Sequence, residues 1–373
     1  MMKNTMLKLM LIFMCSYMSM LGCDSKQPVK IGFIAGMSGR VADLGIAGLD
    51  AVQMLIEKEN REGGINGHRI QLIIKDDRHD PEVARQAATQ LINEGVSAII
   101  GPMTSQMGMS IMPILNKHRM LCVAPTVSTQ KLFGLDDYFF RVLPSVRTNT
   151  LVSADYQIKS GNMTRAAAIY DVGNRSYTGS WLENFEEFFV KGGGKIISVI
   201  PYNTKKNNPF EDIANQTLSL DINGILIIAN SMDSALLCQQ IRKKNKTIYI
   251  TLADWGATEQ LLEFGGKAVE GVTVVQTFDR EAPSPAYQTF RKAYMEQLGR
   301  EPGFPGVNAY DAAHVVITAL KRQKKGEDLK KTVLSIRRFE GLQGPLIFSD
   351  YGDMTRPNAF MSIVKNRKFI LPE

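Results

Sequence analysis

Cysteine, histidine and tryptophan are scarce in this 373-residue chain, with four, four and two residues respectively. So few cysteines cannot staple a disulfide scaffold, and no Cys/His spacing of the zinc type occurs, so neither a metal nor a cofactor is implied. His68, His118 and His314 are too scattered to cluster with His79. The chain also lacks a Walker loop, a G-x-S-x-G elbow and an H-E-x-x-H pair, and Gly36-Met37-Ser38-Gly39 does not have the spacing of a dinucleotide-binding turn. These absences argue against an enzyme. Paired acids such as Asp76-Asp77 and Glu186-Glu187 fit loops and solvated helix faces without catalysis. Only one apolar run approaches membrane length, and it lies at the extreme N-terminus, which excludes a multispan membrane protein. No solenoid repeat, coiled coil or low-complexity tract interrupts the chain.

What is present points to an exported, two-domain protein. With 44% hydrophobic and 22% charged residues the chain can bury two ordinary cores. Lys3 and Lys8 precede an apolar run from Leu9 to Leu21, the pattern of a targeting leader over 1–22. Gly22-Cys23 resembles the lipobox of bacterial lipoproteins, which implies a diacylated Cys23, a tether over 23–28 and a membrane attachment through lipid; Met20 and Leu21 depart from that pattern. Asp24 resembles the inner-membrane retention signal of some Gram-negative bacteria. Of the other cysteines Cys15 leaves with the leader, while Cys122 and Cys238 sit in apolar patterns and read as two buried free thiols. The formal charge of +7 first suggests nucleic acid. Removing Lys3 and Lys8 takes the 44 basic side chains to 42 against 37 acidic ones, a formal +5. Basic runs such as Arg242-Lys243-Lys244 carry no aromatic platform, so they read as solvated faces near anionic lipid rather than a nucleic-acid interface.

From Val29 onward, short β-branched runs alternate with helical patterns. Strands are expected at 30–35, 69–75, 96–101, 120–124, 166–170, 195–200, 224–229, 247–252 and 271–276. They are continuous apolar runs rather than alternating ones, which predicts parallel sheets covered by helices on both faces. Helical spacing appears in 48–62, where Gly63-Gly64 supplies the stop, in 83–94 before Gly95, and in 308–322. The rhythm breaks around 139–150 at Pro144 and around 277–286 at two prolines. The expected fold is therefore α/β, with two doubly wound parallel-sheet lobes joined by a three-strand hinge. One lobe comprises 29–146 plus 278–347, and the other 147–277 plus 348–373.

Five stretches then become specific: GMSGRVADLG at 36–45, NREGGINGHRIQLIIKDDRHDP at 60–81, AIIGPMTS at 98–105, VAPTVST at 123–129 and GPLIFSDYGDM at 344–354. In this order they resemble the type I periplasmic solute-binding proteins that feed ABC transporters, in particular the branched-chain amino-acid (Leu/Ile/Val) branch, across essentially the whole mature chain. Ser105 follows a parallel strand and opens a helix, where an anion is stabilised, and the 125–129 loop lies at the same carboxyl edge of the sheet. The resemblance implies a ligand carboxylate on Ser105 and Ser128, with the backbone of Thr126 beside it. It implies Tyr177 as the aromatic that closes over the ligand, and the Asp254-Trp255-Gly256 loop as the place of an acid facing the ligand ammonium. Gapless matching puts Trp255 in the acidic position with Asp254 adjacent, so either Asp254 makes the charge pair or the ligand has no ammonium. Leu44 and Asn230-Ser231 stand where leucine-type binders carry tyrosines, so the side-chain pocket is reshaped. His79 and Thr104 replace the disulfide of some relatives, and His79 reads as a surface or loop residue. The implied protein is a monomeric extracytoplasmic lipoprotein of an ABC importer. It captures an amino acid or related small carboxylate by hinge closure and delivers it to a permease and ATPase complex. The alternative is a ligand-sensing receptor of the same fold that docks on a signalling partner.

Overall fold

The structure is a computed structural model in which residues 27–203, 206, 209–355 and 359–372 are described. The leader expected at 1–22 and the expected lipidation site Cys23 lie outside the described residues. The first sheet contains β1 (Val29–Ala35), β2 (Ile70–Asp76), β3 (Ile99–Ile100), β4 (Cys122–Ala124) and β5 (Phe139–Arg141). Their order is β2-β1-β3-β4-β5, parallel throughout. The second sheet adds β6 (Arg165–Asp171), β7 (Lys195–Tyr202), β8 (Gly224–Ile228), β9 (Tyr249–Leu252) and β10 (Thr273–Gln276) as parallel strands. β11 (Arg338–Gly341) and β12 (Gly344–Ile347) form a separate hairpin. β13 (Phe360–Lys365) and β14 (Lys368–Ile370) extend the second sheet, giving β14-β13-β10-β9-β8-β6-β7.

Two details correct the sequence reading. β13 runs antiparallel to β10, and β14 folds back on β13, because the chain returns from the first lobe by a short segment and only two residues separate these strands. The strand expected over 96–101 shrinks to Ile99–Ile100. The central strands β1, β3, β4 and β8 are buried, as continuous apolar runs require, but the edge strand β7 alternates buried and open positions because helices cover only part of it.

Helices fill the crossovers. α1 (Ala42–Arg61), α2 (Pro81–Asn93) and α3 (Ser105–His118) serve the first sheet. α4 (Val146–Ser160), α5 (Arg175–Lys191), α6 (Phe210–Leu218), α7 (Ser231–Lys244) and α8 (Glu259–Gly265) serve the second. α9 (Pro285–Leu298), α10 (Phe304–Arg322) and α11 (Leu329–Ile336) return to the first lobe. Local chemistry explains their starts and stops: Asp80 caps α2 through Glu82 and Val83 N–H with Pro81 at the first turn, and Gly161 ends α4 in the left-handed region at φ 68°. Both remaining cysteines, Cys122 and Cys238, are buried and free.

The chain passes between the sheets at 142–145, 277–284 and 348–359. The third passage is pinned to the first lobe by the buried Arg141–Asp353 ion pair, and Gly134 N–H donates to Asp353 Oδ2 at 2.8 Å. The loops that follow β1, β3, β4, β6 and β9 all leave the carboxyl ends of parallel strands, so both sheets present their ligand-competent edges to the space between the lobes.

Candidate functional site

Between the lobes lies a cavity of about 20 Å³. Leu44, Met103, Thr104, Ser105, Thr126, Leu143 and Phe304 line it from one side, and Asn174, Tyr177, Asp254 and Trp255 from the other. Six of the eight expected ligand residues therefore line one cavity, three on each wall.

The first-lobe wall is a shelf of hydroxyl and backbone groups. Gly101 makes its entry turn: its φ is +112°, and a side chain there would meet the Ile34 carbonyl oxygen at 2.0 Å. Thr104 then stands at the N-cap of α3 without a side-chain capping bond, and Ser105 is the first helical residue. Ser105 Oγ accepts from Ser128 N–H (3.4 Å) and Thr129 N–H (3.3 Å), so its own hydrogen is free to donate into the cavity. Thr126 Oγ1 donates to the Met103 carbonyl, which folds the 125–129 loop against the turn before α3. Ser128 is not on the cavity wall. Its backbone supports Ser105, its carbonyl accepts from Val146 N–H at 2.8 Å, and its buried Oγ has no hydrogen-bond partner.

The opposite wall is aromatic around one carboxylate. Tyr177 lies in the first turn of α5, and Trp181 falls one turn later on the same helix face. Tyr177 Oη donates to Asp254 Oδ1 at 2.8 Å and Trp181 Nε1 donates to the same oxygen at 3.0 Å. Trp255 N–H donates to Tyr177 Oη at 3.3 Å, closing the cluster. Burial raises the Asp254 carboxyl above its ordinary range, partly offset by the donors around it, and burial beside Asp254 pushes the Tyr177 hydroxyl well up. The Trp255 ring meets Tyr177 edge-on at 5.7 Å and lies 6.5 Å from the His79 ring of the other lobe, while its buried Nε1 lacks a partner.

Two expectations are revised by this geometry. Asn230 is absent from the cavity wall: it is the N-cap of α7, its Oδ1 accepting from Asp233 N–H at 2.9 Å, because a helix start needs a side-chain acceptor more than the pocket needs a polar wall. His79 is buried, not at the surface, with Thr104 Oγ1 at 3.3 Å from Nδ1. Trp181, Asn174 and Phe304 were missed. The four-residue step from Tyr177 could have found Trp181, whereas Phe304 arrives from a helix distant in sequence and leaves no local signal. Among the described residues no group of three or more His, Cys, Asp or Glu could hold a metal ion.

Residues 28–368 match the model of the periplasmic binding protein family. The chain belongs to that family. Among periplasmic binding proteins, Leu/Ile/Val-binding protein homolog 3 of Brucella melitensis biotype 1 is 23% identical over 337 residues, 88% of this chain and 89% of that protein. Solved relatives share the fold. The branched-chain amino acid transporter substrate binding protein LivJ of Streptococcus pneumoniae, in complex with isoleucine, aligns with a TM-score of 0.84 at 22% identity, covering 92% of this chain and 98% of that one. A solute binding protein of an ABC transporter from Rhodopseudomonas palustris BisB5, in complex with 3,4-dihydroxy benzoic acid, aligns at 0.82 with 21% identity, covering 92% and 95%. In this periplasmic binding protein the cleft offers hydroxyl and amide groups on one wall and a carboxylate on the other.

Proposed function

We propose that this protein is the extracytoplasmic solute-binding component of an ABC importer and captures an amino acid in the cleft between its lobes. The observation that carries the reading is the polarity of the cavity: Ser105 at the start of α3 faces the Asp254 carboxylate across a space enclosed by Tyr177, Trp255, Leu44 and Phe304. A zwitterion matches this order of groups, although the space of about 20 Å³ must widen by movement of the lobes to admit one. Its carboxylate takes the Ser105 hydroxyl, the helix N-terminus and the Thr126 backbone, with Ser128 holding Ser105 in place. Its ammonium pairs with Asp254 and sits against the faces of Tyr177 and Trp255.

Burying both ligand charges is tolerable only if each is paired or hydrogen-bonded, which the two walls together achieve and neither achieves alone. The closed form is therefore favoured by the solute's differential contacts, and the solute enters when the lobes part about the three crossings. The protein performs no covalent chemistry and works as a monomer. In this reading Cys23 carries the lipid that tethers it outside the cytoplasmic membrane, and the closed lobes present the solute to a permease and its ATPase.

A thermal-shift screen against amino acids, aromatic carboxylates and small amides tests it. A bound solute at about a hundred times its dissociation constant stabilises the fold by roughly 2.7 kcal/mol. Shifts confined to carboxylates without an ammonium would overturn the amino-acid reading, and no shift with any solute would overturn capture itself.

A further inference from the structure

Asp43 lies just outside the ligand cavity at the start of α1, and its carboxylate is shared with the opposite lobe. Its Oδ2 accepts from Ser231 Oγ at 2.8 Å, in the first turn of α7, and from Thr258 Oγ1 at 2.9 Å, ahead of α8. Its Oδ1 accepts from Leu44 N–H at 2.9 Å. One turn of chain earlier, Arg40 Nη1 meets Asp233 Oδ1 at 2.8 Å, while Tyr202 Oη donates to Asp233 Oδ2 at 3.0 Å. Two first-lobe side chains thus grip the same turn of one second-lobe helix. None of Arg40, Asp43, Ser231, Asp233 or Thr258 lines the ligand cavity, but Leu44, the next residue after Asp43, does.

We propose that Asp43, with Ser231 and Thr258, is a latch between the lobes that sets the balance of open and closed forms independently of the solute, seating Leu44 on the cavity wall as it engages. The proposal rests on the cleft-closure reading above and adds positioning residues that the solute never touches. The charges at this corner match the role. Asp43 sits at the N-terminal end of α1, where a carboxylate is stabilised, and the approaching lobe brings it two hydroxyl donors. Once the lobes part, water replaces those hydroxyls at little cost, so the latch tips a balance rather than locking the cleft. Burial moves the Asp43 carboxyl upward while both hydroxyl bonds pull it back, as expected of a carboxylate desolvated by closure.

A latch of this kind scales the apparent affinity for every solute by one factor, the change in the closed population. Small-angle X-ray scattering of the full protein without added solute reads that population directly. Asp43→Ala and the double variant Ser231→Ala/Thr258→Ala should each raise the radius of gyration toward the open form, to similar extents, and the triple variant should go no further than either. Thermal unfolding of each variant shows that it is folded, and if Asp43→Ala fails to fold, the Ser231/Thr258 pair carries the test alone. Scattering unchanged in the folded variants, or effects that simply add, would overturn the latch. Scattering that opens as expected while the solute screen finds no ligand would leave the latch standing and overturn the capture reading instead.

Discussion

On the first-lobe wall of the cleft the polar atoms are hydroxyls and backbone amides around Ser105 and Thr126, and no ionisable side chain of that lobe lines the cavity. On the second-lobe wall the central feature is the Asp254 carboxylate, held by Tyr177 and Trp181 within an aromatic setting. The difference teaches how, on the proposed reading, one site would serve both ends of a zwitterion. An anion is served by dipoles already fixed in the backbone at the start of α3, which need no counter-charge. A cation needs a real negative charge, and that charge must be kept in place by donors before the ligand arrives, or its own desolvation works against binding.

The comparison breaks most sharply at Asp254. Asp254→Ala removes the ammonium's partner and strands the Tyr177 hydroxyl and Trp181 N–H, so calorimetry should show affinity for the solute weakened by about 2–5 kcal/mol. An unaffected affinity would mean that the second wall does not supply the charge. Because burial raises its carboxyl, Asp254 also takes up a proton sooner than an ordinary carboxylate as the solution is acidified, and affinity for an ammonium solute should begin to fall at a correspondingly higher pH.

The first lobe has a buried acid of its own, Asp311, away from the shelf and bonded to Leu342 N–H at 2.8 Å. Burial without a counter-charge pushes its carboxyl from 3.8 to about 7. The folded state therefore holds this proton more tightly than the unfolded chain, and the group's contribution to stability is full below about 4, falls as pH rises toward 7 and is level above it. Over that window the change amounts to roughly 4 kcal/mol. Asp311→Asn should flatten this part of a plot of unfolding free energy against pH; an unchanged slope would show that Asp311 is not the source.

Smaller effects sharpen the contrast on each wall. Ser105→Ala should weaken binding of a carboxylate by about 1.5–3 kcal/mol, and because it also takes the acceptor from the buried Ser128 and Thr129 N–H groups it should lower the melting temperature of the free protein as well. Trp255→Phe keeps an aromatic ring between Tyr177 and His79 but deletes the one indole N–H that has no partner. A loss of about 1 kcal/mol in affinity without a loss of stability would assign that N–H to the solute, and no change would leave Trp255 a purely apolar wall.

Much of this architecture was legible before any coordinates. The β-branched runs and their helical spacers placed most elements within a few residues, and the loops after β3 and β4 were recognisable as a functional edge because each follows an apolar strand, whereas those after β6 and β9 were singled out by the family resemblance. Ser105, Thr126, Tyr177, Asp254, Trp255 and Leu44 were named through the family resemblance, with the helix start at Ser105 also readable from the residues, and they meet at one cavity. Asn230 was misread, and His79 lies in a loop as expected but buried rather than at the surface, for one reason: a residue in a polar loop gives no hint whether its side chain turns to a helix start, to the other lobe or to water. Phe304 went unnoticed because nothing in its immediate neighbours distinguishes a site-facing aromatic from a core one, whereas the four-residue step from Tyr177 was the local signal that could have found Trp181.

The sequence by itself determined the alternation of strands and helices, the parallel character of the central strands and the loops that bear the site, since these follow from local periodicity and from which residues can end a helix or cap one. Only the tertiary structure decided the partners: that Trp181 shares an oxygen of Asp254 with Tyr177, that Asn230 serves a helix rather than the pocket, that the last strands return antiparallel, and that Asp43 reaches across to Ser231 and Thr258. The Trp181 and Asp43 contacts join residues 73 to 215 positions apart, which no local pattern encodes, and although the Asn230 cap spans only three residues, that its side chain is kept from the pocket depends on how the lobes meet.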